Sequence, residues 1–472
     1  MQSQHKVTRR NFLKSCSFAA GAFALTSSAV NGQVQIANSN AKVRLGRKLP
    51  NVIHILADDL GYGDLGCYGQ KKIKTPNIDK LAAEGMKFTQ HYAGNTVCAP
   101  SRCVLLTGLH SGHSFIRDNY EINGYQLALP AGTKTVGHLF QDAGYKTCCI
   151  GKWGLGGPDS TGTPAKMGFQ HFFGYLGQVQ AHSYYPDHLW RNSDQIPLGG
   201  TVYSHDLMTK EALWFINKYK DQPFFLHIPY TIPHTKFQVP ELGEYANTDW
   251  ASDHKIQAAM ISRMDRDIGT IMELLKKQNI DNDTIVIFTS DNGPHAQSGT
   301  GTFFDANGPL RGIKRDLYEG GIRDPFVIRW PGKVKPGVTT DHISTFWDFL
   351  PTCADLLGVK CPKVKWSDGT EQDTDGISYL PTILGKSGQK QHEYLYWEFK
   401  ARKTQAVRQG KWKLVRKSVN TENPISELYD LDADLGESNN IASANPAKVA
   451  ELEQIASNAH ILNPYFKILY GE

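Results

Sequence analysis

Four oxygen-bearing side chains stand at two points where an apolar run stops. Asn51-Val52-Ile53-His54-Ile55-Leu56-Ala57 ends at Asp58-Asp59, and Thr284-Ile285-Val286-Ile287-Phe288-Thr289 ends, one residue on, at Asp291-Asn292-Gly293. Near-continuous β-branched runs of this length suit strands buried on both faces of a parallel sheet. Ligands of such sheets gather at the carboxyl ends of the strands. One aspartate there is usually a turn or cap residue, but four donors at two strand ends make a metal site. Every donor is oxygen and none is soft, so the set Asp58, Asp59, Asp291 and Asn292 suits calcium, with magnesium second. Cys98-Ala99-Pro100-Ser101-Arg102 precedes Val104-Leu105-Leu106-Thr107-Gly108, which puts Cys98 at or near a helix start with Pro100 in the first turn. Free amides at that point favour an anion. Taken by itself such a cysteine is either a low-pKa thiolate or simply buried. Lys152, next to Gly151, Lys314, two residues after Gly312, and His234, after Pro233, add cationic and proton-transfer groups.

These groups need a scaffold, and the pattern between them is α/β. Helical spacing runs through Asn77–Gly85 and Asp253–Gln278, the latter closing on Lys276-Lys277. From about Glu393 short alternating segments take over, Tyr394–Phe399 and Lys411–Arg416, separated by turn residues, as in a small antiparallel sheet. The expected organisation is an export segment over residues 1–32, a catalytic domain over 49–386 and a small α+β domain over 387–472. No internal repeat or low-complexity tract interrupts it.

At 472 residues, with 40% hydrophobic and 21% charged residues, the composition is that of a globular enzyme long enough for a large core. Thr8-Arg9-Arg10-Asn11-Phe12-Leu13-Lys14 followed by a charge-free apolar run reads as a twin-arginine export signal, implying the twin-arginine machinery as a partner and a periplasmic or secreted destination. The first 32 residues hold Lys6, Arg9, Arg10 and Lys14 and no acid, so their removal lowers the formal net charge from +5 to +1. No nucleic-acid footprint remains. Beyond that segment nothing reads as a membrane span. The eight cysteines lack metal-site spacing. Cys353 and Cys361 are either a bridge or two unrelated thiols.

Cys98-Ala99-Pro100-Ser101-Arg102 resembles the signature by which a formylglycine-generating enzyme recognises type I, formylglycine-dependent sulfatases. Asp58–Asp64, Gly151-Lys152-Trp153, Pro233-His234, Ser290–Gly293, Arg311–Lys314 and Glu319-Gly320-Gly321 match further motifs of that family in family order, over roughly residues 50 to 330. The resemblance implies an alkaline-phosphatase-like fold, a mixed sheet sandwiched by helices with a small C-terminal antiparallel-sheet domain. It also implies Cys98 oxidised to 3-oxoalanine, whose hydrated diol attacks sulfur beside a calcium ion that one diol oxygen helps to ligate. Arg102 then holds the nucleophile, Lys152 and Lys314 stabilise sulfate oxygens, and His234 is the general acid.

One departure stands out: the family commonly reads Gly-Lys-Trp-His-Leu-Gly, and this chain has Gly154 in place of that histidine. His182, in Ala181-His182-Ser183-Tyr184-Tyr185-Pro186, is the replacement candidate, in a stretch similar to one branch of bacterial carbohydrate sulfatases. The aromatic-rich segment His171–Trp190 offers Tyr185 and Trp190 as sugar-stacking candidates at the pocket rim. Arg117 is a further substrate candidate, and His110 and His113 are weaker ones. The expected substrate is a sulfated carbohydrate attacked from its end, with a galactose-type sugar possible. A formylglycine phosphodiesterase or phosphonate hydrolase, and a non-catalytic calcium-dependent glycan-binding protein, are the alternatives.

Overall fold

The computed structural model describes residues 49–365 and 371–472; the expected export segment, residues 1–32, lies outside them. An eleven-stranded sheet forms the centre. Its middle is parallel: Thr284–Ser290 beside Asn51–Ala57, then Phe224–Pro229, Lys146–Lys152 and His171–Tyr175. Both apolar runs ending in carboxylates are therefore neighbouring strands, in register from Asn51 opposite Thr284 to Ala57 opposite Ser290. They are buried throughout, which is why they lack polar alternation. Beyond the parallel core, Arg323–Arg329 runs antiparallel to Thr284–Ser290 and to Met86–Tyr92 on one side, and His188–Arg191 runs antiparallel to His171–Tyr175 and to Asp194–Pro197 on the other, while Val338–Thr340 and Ser344–Thr345 pair parallel with Met86–Tyr92.

Helices cover the sheet. The expected helices form as Pro76–Ala83 and Ser252–Lys277. The longer one buries Ala258, Ile261, Met264, Ile268, Ile271 and Leu275 against the sheet, the apolar stripe that its helical period requires. Its Asp265 carboxylate accepts the N–H groups of Asn77 and Ile78 at 3.0 and 2.7 Å, capping the shorter helix from outside. No helix of the described residues is long and apolar enough to cross a membrane.

The C-terminal strands Leu395–Phe399, Thr404–Gln409, Trp412–Lys417 and Ile425–Asp430 make a four-stranded antiparallel sheet in chain order. One face, with Tyr396, Val407, Leu414 and Leu428, packs on Leu452 and Ala456 of the helix Pro446–Ala459. The other face sends Trp397, Phe399, Ala406 and Val415 into the core that contains Ala99, Cys103 and Val104 of the Cys98 helix. This is the mixed α/β architecture with a small antiparallel sheet that the motif pattern led us to expect. The seven described cysteines are free, Cys353 and Cys361 included.

Candidate active site

The parallel strands all present their carboxyl ends to one edge, and the loops that leave there carry the chemistry. Ladder hydrogen bonding continues past the strands: Asp58 N–H donates to the Ile232 carbonyl and Asp291 N–H to the Ala57 carbonyl, both at 3.0 Å. The acids are thus fixed by backbone before any side chain is considered. Asp59 takes a left-handed conformation, φ 65°, uncommon outside glycine, asparagine and aspartate. Cys98 opens the helix Cys98–Thr107, as its sequence context requires; Val97 provides no side-chain cap, and the Ala99 N–H is met by Asn119 Oδ1 at 3.1 Å.

Side chains from five segments converge on Cys98. Its Sγ lies 3.3 Å from Asp58 Oδ1 and 3.6 Å from Lys314 Nζ. Lys152 Nζ donates to Asp58 Oδ2 at 2.7 Å. Lys314 Nζ donates to both Asp59 oxygens at 2.6 and 2.7 Å and faces His234 Nε2 at 3.1 Å. Arg102, one turn along the helix from Cys98, donates Nε and Nη2 to Asp291 Oδ2 and Nη1 to the Lys152 carbonyl. All of these side chains are buried.

The three carboxylates and three cations divide the electrostatic load unequally. Burial opposes the charge on Asp58, but Lys152, His234, Arg102 and Lys314 together hold it well below the usual carboxylate range. Asp59 is likewise held at about 2 by Lys314 and His234 against its burial. Asp291 goes the other way, to about 6, through burial and the Asp58 charge, with Arg102 opposing. Burial, then Asp58, pushes the Cys98 thiol up to about 12 despite the two lysines. A helix start alone would favour a thiolate. Here the desolvated position next to a carboxylate favours the protonated thiol.

Asp58, Asp59, Asp291 and Asn292 offer only oxygen, and the Asn292 Nδ2 group donates to Asp59 Oδ1 at 2.8 Å while its buried Oδ1 has no hydrogen-bond partner. A buried amide oxygen left unpaired costs about 1–3 kcal/mol. Directed at a hard cation it is satisfied, so the residues fit one.

A family model described as Sulfatase matches residues 50–359, and one described as N-sulphoglucosamine sulphohydrolase, C-terminal, matches residues 312–458. The chain belongs to the sulfatase family. Arylsulfatase A of Homo sapiens is 32% identical over 461 residues, covering 86% of this chain and 87% of that protein. N-acetylgalactosamine-6-O-sulfatase of Bacteroides thetaiotaomicron is 30% identical over 497 residues, covering 86% and 92%. A crystal structure of Ps i-CgsB in complex with k-i-k-neocarrahexaose superposes with a TM-score of 0.76 at 29% identity, over 90% of this chain and 95% of that one. This sulfatase hydrolyses sulfate esters.

In the sulfatase, burial favours the neutral form of the His234 imidazole. Its Nδ1 faces the Thr235 carbonyl and its Nε2 accepts from Lys314, and burial, with Lys314 and Lys152 also disfavouring charge against the two carboxylates, lowers it to about 3. His182, from the short turn Gln180–His182, stacks on it with ring centroids 4.3 Å apart and planes 15° apart, and burial lowers its own pKa to about 4. The space expected for a side chain at Gly154 is filled: a Cβ there would lie 1.9 Å from Gln178 Nε2, at a φ of +70°.

Other sequence candidates fall elsewhere. Arg117 is buried and bonds Glu398 Oε1 at 2.8 Å and the Ile461 carbonyl at 2.7 Å, tying the C-terminal segment to the helix end rather than facing a ligand. Tyr185 is half-buried against Tyr203. Trp190 is buried on the strand His188–Arg191 and lines a different cavity. His110 and His113 gather with Asp375. Their rings stack at 4.1 Å and 25°, so no ion can lie in both ring planes, and the cluster is a hydrogen-bonded support.

One site histidine escaped the sequence reading. His295 follows Asp291-Asn292-Gly293-Pro294; its Nδ1 is buried without a partner, and its pKa is lowered by burial, with Asp59 opposing and Lys314 and Arg315 adding. Its closeness to the acidic motif was the available signal.

Proposed function

We propose that the sulfatase is an exported carbohydrate sulfatase that acts through a formylglycine made from Cys98 and a calcium ion, magnesium second, held by Asp58, Asp59, Asp291, Asn292 and residue 98. Support for the sugar class comes from relatives and structural neighbours whose names or bound ligands are sulfated-glycan related. The convergence of three carboxylates, three cations and an unpaired Asn292 oxygen on a protonated Cys98 carries the reading. When present, the converted residue supplies a hydroxyl nucleophile, and the cation supplies positive charge at the sulfate.

The chain's own residues do the rest. Arg102 clamps the first turn of the nucleophile helix to Asp291 and the Lys152 carbonyl, fixing residue 98 in position. As it stands the buried set is balanced, three acids against Lys152, Lys314 and Arg102. With a divalent cation held by these acids the set would carry net positive charge, and Lys152 and Lys314, now bonded to Asp58 and Asp59, would turn their ammonium groups to sulfate oxygens. Lys314 directs an N–H at His234 Nε2, so this pair holds the proton needed by the departing alcohol oxygen. His182, stacked on His234, takes the place of the histidine missing at position 154. The catalytic part spans residues 49–386 and the small domain residues 387–472, and export by the twin-arginine route delivers the folded enzyme to the periplasm.

Peptide mass spectrometry across Cys98 of protein from its native host tests this. Loss of the thiol mass in exchange for an aldehyde is expected. An intact thiol, in a host that converts its other sulfatases, would sink the mechanism.

A further inference from the structure

Two side chains at the edge of the site carry donors that nothing in the fold uses. Arg315 follows Lys314, and its own N–H donates at 3.0 Å to the carbonyl of Thr96, two residues before Cys98. Its guanidinium is exposed and makes no hydrogen bond or ion pair among the described residues. The carboxylates nearby are already taken: Asp316 accepts the Ile313 N–H at 3.1 Å and the Arg402 guanidinium, and Asp59 accepts Lys314. Arg315 also holds a left-handed backbone, φ 78°, which strains a long side chain and would not strain glycine. Strain of this kind collects at ligand sites. His295 adjoins this segment, because the Lys314 N–H donates to the Pro294 carbonyl at 3.0 Å. Its ring is half-buried, and of its two nitrogens only Nδ1 is buried without a partner. A proton there would be an unmet buried donor, so it sits better on Nε2, at the open edge of the ring. The charges of Asp59, Lys314 and Arg315 all act on this imidazole, so it lies close both to the acids of the site and to the guanidinium.

We infer that Arg315 and His295 form a second anion subsite, which holds a further sulfate or a carboxylate of the glycan beside the ester that is cleaved. The inference rests on the carbohydrate reading of the catalytic site. A planar guanidinium fork matches a pair of sulfate or carboxylate oxygens, and such charge-assisted bonds are roughly twice as strong as those between neutral groups. The cations at the centre of the site differ in this respect. Lys152, Lys314 and Arg102 are buried and spent on Asp58, Asp59 and Asp291, whereas the Arg315 charge is open to solvent and has no counter-ion among the described residues. A substrate with two anionic groups satisfies both sets: one is the ester attacked at residue 98, and the other lies on the same sugar or on its neighbour.

Steady-state kinetics of the calcium-loaded, formylglycine-bearing protein test the subsite with paired substrates. One panel pairs singly with doubly sulfated galactose and N-acetylgalactosamine, and the other pairs the singly sulfated sugars with disaccharides that join them to a uronic acid. The parent is expected to favour the doubly anionic member of at least one pair by about tenfold in kcat/KM, mostly through KM. Preference in the first panel identifies the second anion as sulfate, and in the second panel as carboxylate. Arg315→Gly, which suits the left-handed backbone, should cut that preference to about twofold or less, and His295→Ala should reduce it as well. A merely structural role would slow both members of a pair alike and leave their ratio unchanged, and melting temperatures verify that the variants are folded. Absence of any preference in the parent, or an unchanged ratio in both variants, overturns the subsite. Hydrolysis of a small aryl sulfate by the parent reports separately on the catalytic reading. Hydrolysis without preference removes the subsite alone. If no ester is cleaved, the catalytic reading falls, and the affinity ratio of the same pairs by isothermal titration decides the subsite by the same criterion.

Discussion

Asn292 is the residue whose surroundings say most about what is bound. Its amide nitrogen is spent on Asp59 while its oxygen is buried and unpaired, an arrangement that favours a cation over a proton. Asn292→Leu keeps the volume and removes the donor. Its calcium affinity, measured by isothermal titration, should fall about tenfold or more, equivalent to at least ~1.4 kcal/mol; an unchanged affinity would remove Asn292 from the ligand set. Cys98 shows the opposite relation between sequence and surroundings. A helix start, read locally, lowers a thiol pKa, whereas burial beside Asp58 raises it to about 12.

At the scale of elements, close approach of the central strands decides which residues the loops can carry. Gly151 has φ +135°, and a Cβ on it would lie 2.0 Å from the Pro229 carbonyl oxygen, in the strand that leads to His234. Gly151→Ala should therefore push the Lys146–Lys152 and Phe224–Pro229 strands apart, costing about 3 kcal/mol or more as overpacking with backbone strain. Thermal denaturation would show it, and a melting temperature within 1 °C of the parent (about 1 kcal/mol for a chain this size) would contradict the packing argument. The C-terminal sheet has its own positional role. Trp397 Nε1 donates to the Ala93 carbonyl and Asn95 Nδ2 to the Glu398 carbonyl, both at 2.9 Å, so the loop entering the Cys98 helix is held by residues three hundred positions away. Nothing local in the sequence signals that contact, because it depends on which face of the small sheet meets the larger core.

For the molecule as a whole, two buried networks set stability. Glu319 accepts from Lys413 at 2.8 Å, from Arg323 at 3.2 Å and from Tyr92, with Glu437 also facing Lys413 at 3.4 Å. Lys413→Met leaves two buried acids short of a counter-charge and should cost about 3–5 kcal/mol in denaturant unfolding, with calcium affinity unchanged. The second network is a set of core histidines. His54 and His227 share a 3.2 Å Nδ1 to Nδ1 contact beside Phe349, and burial lowers His54 to about 3 and His227 well below its usual value. A histidine whose folded pKa is lowered takes a proton first in the unfolded chain. Its stability contribution is therefore intact above about pH 6.5 and lost progressively towards pH 3, at about 1.4 kcal/mol per pH unit for each group. Replacing both partners, His54→Leu with His227→Leu, should leave stability near pH 8 little changed and make the variant progressively more stable than the parent on acidification, by roughly 3 kcal/mol or more at pH 4.5. A constant difference across that range would assign the acid sensitivity to other groups.

The sequence by itself determined the acid-bearing strand ends, the cysteine at its helix start and the antiparallel C-terminal segment. Each of these follows from short-range rules: burial on both faces removes polar alternation, and a helix must begin where its amides are free. Only the tertiary structure decided that Arg117 ties two segments together, that Trp190 lines a cavity of its own, that His295 joins the site and that Gln178 fills the space beside Gly154. These roles depend on which distant loops meet at one sheet edge, and that is fixed by packing between residues far apart in the chain.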